Sequence, residues 1–234
     1  MAINNSKLTV DRLGKSFTLH DRGGTQVVGF REVSFALDKG QLLALSGPSG
    51  AGKSSILKTI YRTYLAQSGT VHFRRSDGST VELVSCPESR ILDLRRREIG
   101  FVTQFLKILP RVSALDAVAQ PLVEIGTAID EARHLARNML ARLGIREELF
   151  ALSPLTFSGG EQQRVNLARG IIAPKELLLL DEPTASLDQR SSDTVLELLA
   201  ELKERGIAMI AIFHDPKKIK QIGDLEYQVR RVEQ

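Results

Sequence analysis

The stretch Gly47–Ser54, with the sequence GPSGAGKS, decides the fold of this chain. It matches the phosphate-binding loop G-x-x-x-x-G-K-[ST], whose backbone N–H groups surround an anion. The mostly apolar run Gln41–Ser46 precedes it and predicts a buried strand, and Ser54–Tyr61 predicts a helix. The loop therefore lies between a strand and a helix, as the pattern requires, and it indicates a nucleotide-binding α/β domain.

Each residue type in this loop has a chemical use. Gly47, Gly50 and Gly52 allow the backbone to turn tightly and direct its N–H groups at an anion. The helix N-terminus behind them adds about half a positive charge. We expect Lys53 to reach the β- and γ-phosphates and the Ser54 hydroxyl to ligate Mg²⁺.

Strand and helix signals alternate along the rest of the chain. Buried strands are predicted at Ile99–Val102, Leu177–Asp181 and Ile207–Phe213. Helical spacing dominates from Ser113 to Gly144 and from Asp188 to Arg205. We therefore predict an α/β fold with a largely parallel sheet wrapped by helices.

Outside this core we expect mostly short strands and a tail. Lys7–Val10 and Val33–Leu37 alternate apolar and polar residues, and the segments flanking Asp77-Gly78 predict a hairpin. These form an antiparallel β subdomain. Residues from Asp224 to Gln234 are expected to be a charged tail.

Composition restricts the class of protein and its location. The net charge is +4 and there is no Trp, so we expect no nucleic-acid partner. No run approaches 18 apolar residues, and the first residues lack an apolar signal core, so we expect no direct membrane insertion. Cys86 is the only cysteine, which fits a reducing compartment. We expect a cytoplasmic protein.

A second nucleotide motif ends the strand Leu177–Asp181. In phosphate-loop enzymes an acid at this position holds Mg²⁺, and Asp181 fits that role. Glu182 follows directly and is placed to act as a general base toward the attacking water. The alternative is that both acids merely open a turn at Pro183.

The stretch Phe157–Arg164, reading FSGGEQQR, resembles the signature motif of ATP-binding-cassette (ABC) ATPases, usually LSGGQ. Gln104, Ser186-Leu187-Asp188 and His214 match the Q-loop, D-loop and switch histidine of that family in order and spacing. The resemblance covers essentially the whole chain. It implies one ABC ATPase domain, residues 1–234, with a nucleotide-binding core at 1–105 and 166–234 and a helical subdomain at 106–165.

That resemblance also implies two chains packed head to tail, as a homodimer or with another ABC ATPase. ATP and Mg²⁺ would lie between the phosphate loop of one chain and the signature motif of the other. Implied catalytic residues are Glu182, His214, Lys53 and Gln104, and implied metal ligands are Ser54, Gln104 and Asp181. Implied contacts to ATP come from Phe17, Gly47, Pro48, Ser49, Gly50, Ala51, Gly52, Lys53, Ser54 and Ser55, and from the partner's Phe157, Ser158, Gly159, Gly160, Glu161 and Gln162.

Several of these residues have a plainer interpretation. Ser158 with Glu161 is also an ordinary capping box at a helix start. Phe17, implied to stack on adenine, can instead be core. Phe157 and Glu161 depart from the usual Leu and Gln, but the small residues between them are intact. We interpret Arg95–Arg97 as a solvated face.

Some stretches resemble one branch of the family, the ATP-binding subunits of bacterial phosphonate carbon–phosphorus lyase systems. They are Phe101–Leu106, Ile108–Leu115, Thr156–Asn166 and Ile212–Asp215, with Tyr61–Leu65. This resemblance implies soluble lyase subunits as partners and a role in making a ribose 1-phosphonate 5-triphosphate. Two alternatives stay open: a transport ATPase coupled to a membrane permease, and a non-enzymatic scaffold that binds ATP.

Overall fold

The computed structural model describes residues 6–19, 24–106 and 110–231, which form two sheets, seven α-helices and two short 3-10 helices (Glu147–Leu149 and Pro154–Thr156) within those ranges. The strands are β1 (Leu8–Leu19), β2 (Thr25–Leu37), β3 (Leu42–Ser46), β4 (Ser68–Arg74), β5 (Thr80–Glu82), β6 (Ile99–Val102), β7 (Leu177–Asp181), β8 (Ala208–Ile212) and β9 (Leu225–Gln228). The helices are α1 (Lys53–Ile60), α2 (Glu88–Arg97), α3 (Ala114–Glu124), α4 (Ile129–Arg142), α5 (Gly159–Ile171), α6 (Gln189–Glu204) and α7 (Pro216–Ile222).

The larger sheet has five parallel strands in the order β6-β7-β8-β3-β9, which confirms the predicted parallel core. In β7, Leu177 and Leu179 face one hydrophobic cluster, and Leu178 and Leu180 face the other. Because both faces are covered, the strand is apolar throughout instead of alternating. The carboxyl ends of these strands lie along one edge, so the loops that follow β6, β7, β8 and β3 are neighbours.

The smaller sheet is antiparallel, in the order β2-β1-β4-β5, which confirms the predicted β subdomain. Strands β1 and β2 are longer than the sequence indicated and pair through irregular registers near Leu13 and Lys15. Buried residues of this sheet pack with α1 in the same cluster as Leu43 and Leu45 of β3. The β subdomain therefore supports the strand that leads into the phosphate loop.

The predicted helical region between Ser113 and Gly144 is confirmed as α3 and α4, joined by a turn at Gly126. Ser113 caps α3 by accepting a hydrogen bond from the backbone N–H of Asp116. The predicted end of the helical subdomain at residue 165 falls inside helix α5, which continues to Ile171. Among the described residues, none of the helices has both the length and the apolar character needed to cross a bilayer.

The structure corrects two expectations in part and adds one helix that the sequence analysis did not predict. Residues 225–228 are not a charged tail but strand β9, which pairs in parallel with β3, and the buried Val229 follows it. Helix α2 was missed, although Pro87 precedes it and the buried Ile91 and Leu94 have helical spacing. Of the predicted solvated face Arg95–Arg97, Arg96 and Arg97 are exposed as expected, whereas the guanidinium of Arg95 donates two hydrogen bonds to the Tyr61 carbonyl and lies 4.5 Å from the centroid of that ring.

Candidate active site

The phosphate loop connects β3 to α1 and depends on glycine at two crowded positions. Gly47 has φ 125° and Gly52 has φ 95°, both left-handed. A Cβ at Gly52 would lie 2.2 Å from the carbonyl oxygen of Gly29, and one at Gly47 would lie 2.3 Å from that of Val229. The loop is thus packed between β2 and the end of β9, and only glycine fits. The turn leads directly into the N-terminus of α1, and backbone N–H groups at a helix N-terminus bind phosphate groups well.

Lys53 is the first residue of α1 and is 7% exposed. Its ammonium donates hydrogen bonds to the carbonyl oxygens of Gly47 at 2.7 Å and Pro48 at 2.9 Å. The charge is therefore held across the mouth of the loop. A phosphate group in the loop would meet this ammonium directly.

Ser54 donates a hydrogen bond to Oδ1 of Asp181 at 2.8 Å, which joins the phosphate loop to the end of β7. Asp181 is 2% exposed, and this burial raises the pKa of its carboxyl above the ordinary value, although the Ser54 hydrogen bond opposes the shift. A buried carboxylate beside a hydroxyl is an oxygen-ligand set of the kind that Mg²⁺ prefers. The residues therefore fit the predicted metal.

Glu182 occupies the turn after β7 with φ 55°, an uncommon left-handed conformation for a residue other than glycine. Its Oε1 lies 2.6 Å from Nε2 of His214, and its Oε2 accepts a hydrogen bond from Nε2 of Gln104 at 3.1 Å. Gln104 follows β6 and His214 follows β8, the two neighbours of β7. The sheet thus places one residue on each oxygen of the Glu182 carboxylate.

These groups border a single cavity of about 360 Å³. Its lining includes most of the residues predicted for phosphate binding and catalysis: Ser49, Gly50, Gly52, Lys53, Ser54, Ser55, Gln104, Glu182 and His214. Asp181 is joined to this lining because it accepts the hydrogen bond from Ser54. An anion-binding loop, a buried carboxylate and a second carboxylate aligned by two partners can together bind a metal-nucleotide and activate water.

The start of α5 lies outside this cavity. Ser158 caps the helix by accepting a hydrogen bond from the Glu161 N–H, and it donates back to Oε2 of Glu161 at 2.6 Å. The alternative interpretation of Ser158 and Glu161 as a capping box is therefore confirmed. These hydrogen bonds hold the pKa of the Glu161 carboxyl below its usual value, so Glu in place of the usual Gln completes the cap. Gln162 donates to the carbonyl of Phe157, and the backbone of this exposed start is thus ordered.

The predicted D-loop packs against this helix start. Ser186 has φ 62°, and its carbonyl oxygen lies 3.1 Å from the place where a Cβ of Gly160 would be. Asp188 caps α6 by accepting a hydrogen bond from the Ser191 N–H at 2.8 Å. Leu187 lies near Gly160 as well. The signature and D-loop segments are therefore adjacent within one chain.

Phe17 is not among the residues that line this cavity. It is half-buried on β1, meets Tyr64 edge-on at 5.2 Å between centroids, and packs over Gly29. Gly29 in turn contacts Gly52, so Phe17 is one residue removed from the loop.

Sequence reasoning gave no role to two buried amides of α5, Gln163 and Asn166. Gln163 donates to the carbonyl oxygen of Glu182, and Asn166 donates to that of Thr103. Their spacing on one helix face was visible in the sequence, but their contacts with the site were not.

The class of protein follows from where α5 begins. The start of α5, at the stretch that resembles the signature motif, is a capped helix N-terminus that is exposed and lies outside the cavity. Together with the aligned Glu182, this arrangement is that of an ATP-binding cassette.

The chain belongs to the ABC transporter family: the family model with that description matches residues 30–185. A lipoprotein-releasing system ATP-binding protein LolD of Bordetella pertussis is 38% identical over 213 residues, which cover 90% of this chain and 87% of that protein. A macrolide export ATP-binding/permease protein MacB of Bradyrhizobium diazoefficiens is 36% identical over 85% of this chain, but the match covers 30% of that protein.

A similar solved structure is the dimeric post-hydrolysis state of the ATP-binding cassette MJ0796 bound to ADP and phosphate. It has a TM-score of 0.86 and 25% identity and covers 96% of this chain and 94% of its own. A second dimeric structure of MJ0796 also gives a TM-score of 0.86, with 26% identity over 95% and 94% of the two chains. The predicted ABC ATPase fold, ATPase activity and use of ATP with Mg²⁺ are confirmed. The lyase assignment gains no support from these relatives.

Proposed function

We propose that two copies of this chain hydrolyse MgATP at a head-to-tail interface, each site combining the phosphate loop of one copy with Ser158 of the other. One observation carries the proposal: Glu182 is aligned by Gln104 and His214 beside Lys53, while the ordered start of α5 is exposed elsewhere. The similar MJ0796 cassettes are dimers, which supports the pairing.

Each residue then has a defined role. Lys53 and the loop N–H groups bind the phosphates. Ser54 and Asp181 would hold Mg²⁺, which would supply positive charge to neutralise the phosphates. Glu182 accepts the proton of the attacking water, and His214 and Gln104 keep its carboxylate directed at the cavity. Ser158, Gly159 and Gly160 of the other copy face the γ-phosphate through their N–H groups. Phe17 supports the adenine, with Ser186, Leu187 and Asp188 next to the paired signature motif.

A complementation experiment tests the shared site. At an ATP concentration near the wild-type KM, Lys53→Ala disables one half of a site and Ser158→Arg the other, so each variant alone should be nearly inactive. Mixed at equal amounts they should regain up to about a quarter of the wild-type rate, because at most half of the dimers are mixed and each has one intact site of two. As a control, a chain with both changes mixed with Lys53→Ala should stay inactive. No recovery in the first mixture would contradict the shared site.

We propose that the partner is a membrane permease, which the names of the relatives favour, and that this chain binds it from the cytoplasmic side. One relative is named as an ATP-binding and permease protein in a single chain, and another as the ATP-binding protein of a release system. We propose that the partner contacts the cleft between α2, β6, α3 and α5, which we call the basic cleft. Its cavity is about 290 Å³, and its charged lining residues are Arg95, Arg96, Arg169, Lys175 and Glu124.

The basic cleft is suitable for transmitting ATP binding. It includes Thr103, the residue before Gln104, so a partner segment there would be next to a residue that touches Glu182. Four basic side chains against one carboxylate favour an acidic partner segment. A soluble partner with an acidic segment would fit the same cleft.

A second candidate is the ATPase subunit of a soluble phosphonate carbon–phosphorus lyase complex. The specific observation that favours it is the sequence of the stretches around Gln104, the signature motif and His214, including Phe213 before the switch histidine. Phe213 is buried in the core below His214, so this position affects packing and not the cavity directly.

Affinity purification of the native protein separates the two candidates. The membrane and soluble fractions are purified in parallel, and co-purifying proteins are identified by mass spectrometry. Recovery of integral membrane permeases without lyase subunits would exclude the lyase candidate, and recovery of soluble lyase subunits alone would exclude the permease. A Lys53→Ala chain serves as the control for contacts that need ATP.

A further inference from the structure

Helix α5 carries two buried amide side chains on one face, Gln163 and Asn166, which are 5% and 7% exposed. Residues three apart on a helix are neighbours on its surface. Nε2 of Gln163 donates a hydrogen bond to the carbonyl oxygen of Glu182 at 3.2 Å, and Nδ2 of Asn166 donates to that of Thr103 at 2.5 Å. Both amides therefore hold the backbone at a residue of the site or directly before one.

The contact of Gln163 is at a strained point. Glu182 has φ 55°, and its carbonyl oxygen also accepts a hydrogen bond from the Ala185 N–H at 3.1 Å. A left-handed conformation at a non-glycine residue persists only where its surroundings enforce it. The Ala185 N–H belongs to the same turn, whereas Gln163 holds the turn from outside.

Asn166 contacts the backbone directly before Gln104, the residue that donates a hydrogen bond to Glu182. Thr103 precedes Gln104, whose side chain donates to Oε2 of Glu182. Helix α5 thus holds the backbone on both sides of the Gln104–Glu182 hydrogen bond. These two amide hydrogen bonds are therefore the contacts through which α5 acts on both partners of that bond.

The same helix begins at the signature motif. Its first residue is Gly159, Ser158 is its N-cap, and Gln163 lies within the next turn and a half. A helix is a stiff rod over this distance, and its cap is closed by a full capping box. What contacts the helix start therefore acts on Gln163 without an intervening flexible segment.

We propose that Gln163 and Asn166 are positioning residues that couple engagement of the signature motif to the alignment of Glu182 in the same chain. This inference rests on the proposed function, in which Ser158 faces the nucleotide of the other copy. Nucleotide bound by one chain then contacts the start of α5 in the other chain. That helix aligns Glu182 of its own chain, and this Glu182 serves the second site. The two sites of the dimer are thereby coupled in the direction of mutual activation.

The test uses full-length Gln163→Met, which keeps the length of the side chain and removes the donor. We expect kcat to fall about 10- to 100-fold, the cost of a small misplacement of a catalytic group. Affinity for a fluorescent ATP analogue and ATP-dependent dimerisation in the Glu182→Gln background should be unchanged. The Hill coefficient for ATP should exceed 1 in the wild type and fall to about 1 in the variant. Asn166→Leu should act in the same direction.

A purely structural role for the amides would give a different result. Val165 lies between them on α5 and is fully buried, so Val165→Ala loosens the same helix without touching either hydrogen bond. We expect Val165→Ala to lower the melting temperature while kcat and the Hill coefficient stay near the wild-type values. Equal losses of kcat in Val165→Ala and Gln163→Met would overturn the proposal, and so would a wild-type Hill coefficient of 1.

The failure of this inference is distinguishable from failure of the proposed function. If Glu182→Gln hydrolyses ATP at the wild-type rate, the role of Glu182 is wrong and the coupling has no target. If Glu182→Gln is slow while Gln163→Met turns over normally, the base is right and the coupling through α5 is wrong.

Discussion

Nε2 of His214 lies 2.6 Å from Oε1 of Glu182, although the two residues are 32 positions apart and follow different strands. The histidine side chain is 60% exposed and the carboxylate 17%, so the imidazole approaches the carboxylate from the solvent side. Gln104 occupies the other carboxylate oxygen. The carboxylate is therefore held by one side chain on each oxygen at the edge of the cavity, and substitutions at Glu182 should affect chemistry more than affinity.

The first prediction concerns that carboxylate. Glu182→Gln keeps the size of the side chain and its neighbours but removes the proton acceptor. We expect ATP affinity to be kept and steady-state hydrolysis to slow by about 10²- to 10⁴-fold, the usual loss for a general base. Phosphate release under saturating MgATP measures the rate. Unchanged turnover would remove Glu182 from the mechanism.

Lys53→Ala should act on binding instead. The ammonium is held over the loop by the carbonyls of Gly47 and Pro48, where a phosphate would meet it. Charge-assisted hydrogen bonds contribute about 1.5–3 kcal/mol, so ATP affinity should fall roughly 10- to 100-fold. Titration of labelled ATP measures this. Lys39→Ala, in the turn before β3, is the matched control and should bind like the wild type.

A third prediction concerns assembly. In Glu182→Gln the bound ATP persists, so the head-to-tail pair should accumulate and elute as a dimer in sizing chromatography with MgATP. Adding Ser158→Arg to the same chain places a bulky charge at the exposed helix start and should abolish the dimer without affecting nucleotide binding. A double variant that still dimerises with ATP would mean that the interface lies elsewhere.

Much of this fold was visible in the sequence because the parallel strands are short apolar runs with distinctive residues at their ends. The buried run Leu177–Asp181 and the loop Gly47–Ser54 indicated a largely parallel core but not the order of its strands. Strand β9 was missed because Leu225 and Tyr227 sit among charged residues. Its pairing with β3 is a tertiary effect, since an edge strand needs only one buried face.

The site was predictable to the level of residue type and less so to the level of contact. The motifs named Lys53, Asp181 and Glu182, but no motif shows that Gln163 donates to the carbonyl of Glu182. That hydrogen bond joins positions 19 apart, and its existence depends on how α5 packs on the sheet. Spacing within one helix cannot report such a contact.

The basic cleft gives a prediction about the partner. Arg96 lines this cleft and is exposed, so Arg96→Glu reverses one of its charges with little effect on the core. We expect reduced co-purification of the native partner, whether permease or soluble subunit, with ATP hydrolysis by the isolated chain unchanged. Arg205→Glu, exposed at the end of α6, is the control. Normal recovery of the partner with Arg96→Glu would place the contact elsewhere.

The last prediction is a pH dependence centred on Lys175, whose ammonium donates to the carbonyls of Arg95 and Arg96. Burial lowers its pKa to about 8, against about 10.4 in an unfolded chain. Between these values the unfolded state binds more protons, so this group makes the fold more stable as pH rises. Urea denaturation at pH 7 and pH 10 should show the wild type gaining stability relative to Lys175→Met, with the exposed Lys220→Met as control. A wild-type-minus-variant difference that does not change with pH would mean that the Lys175 amine is hydrated in the folded protein.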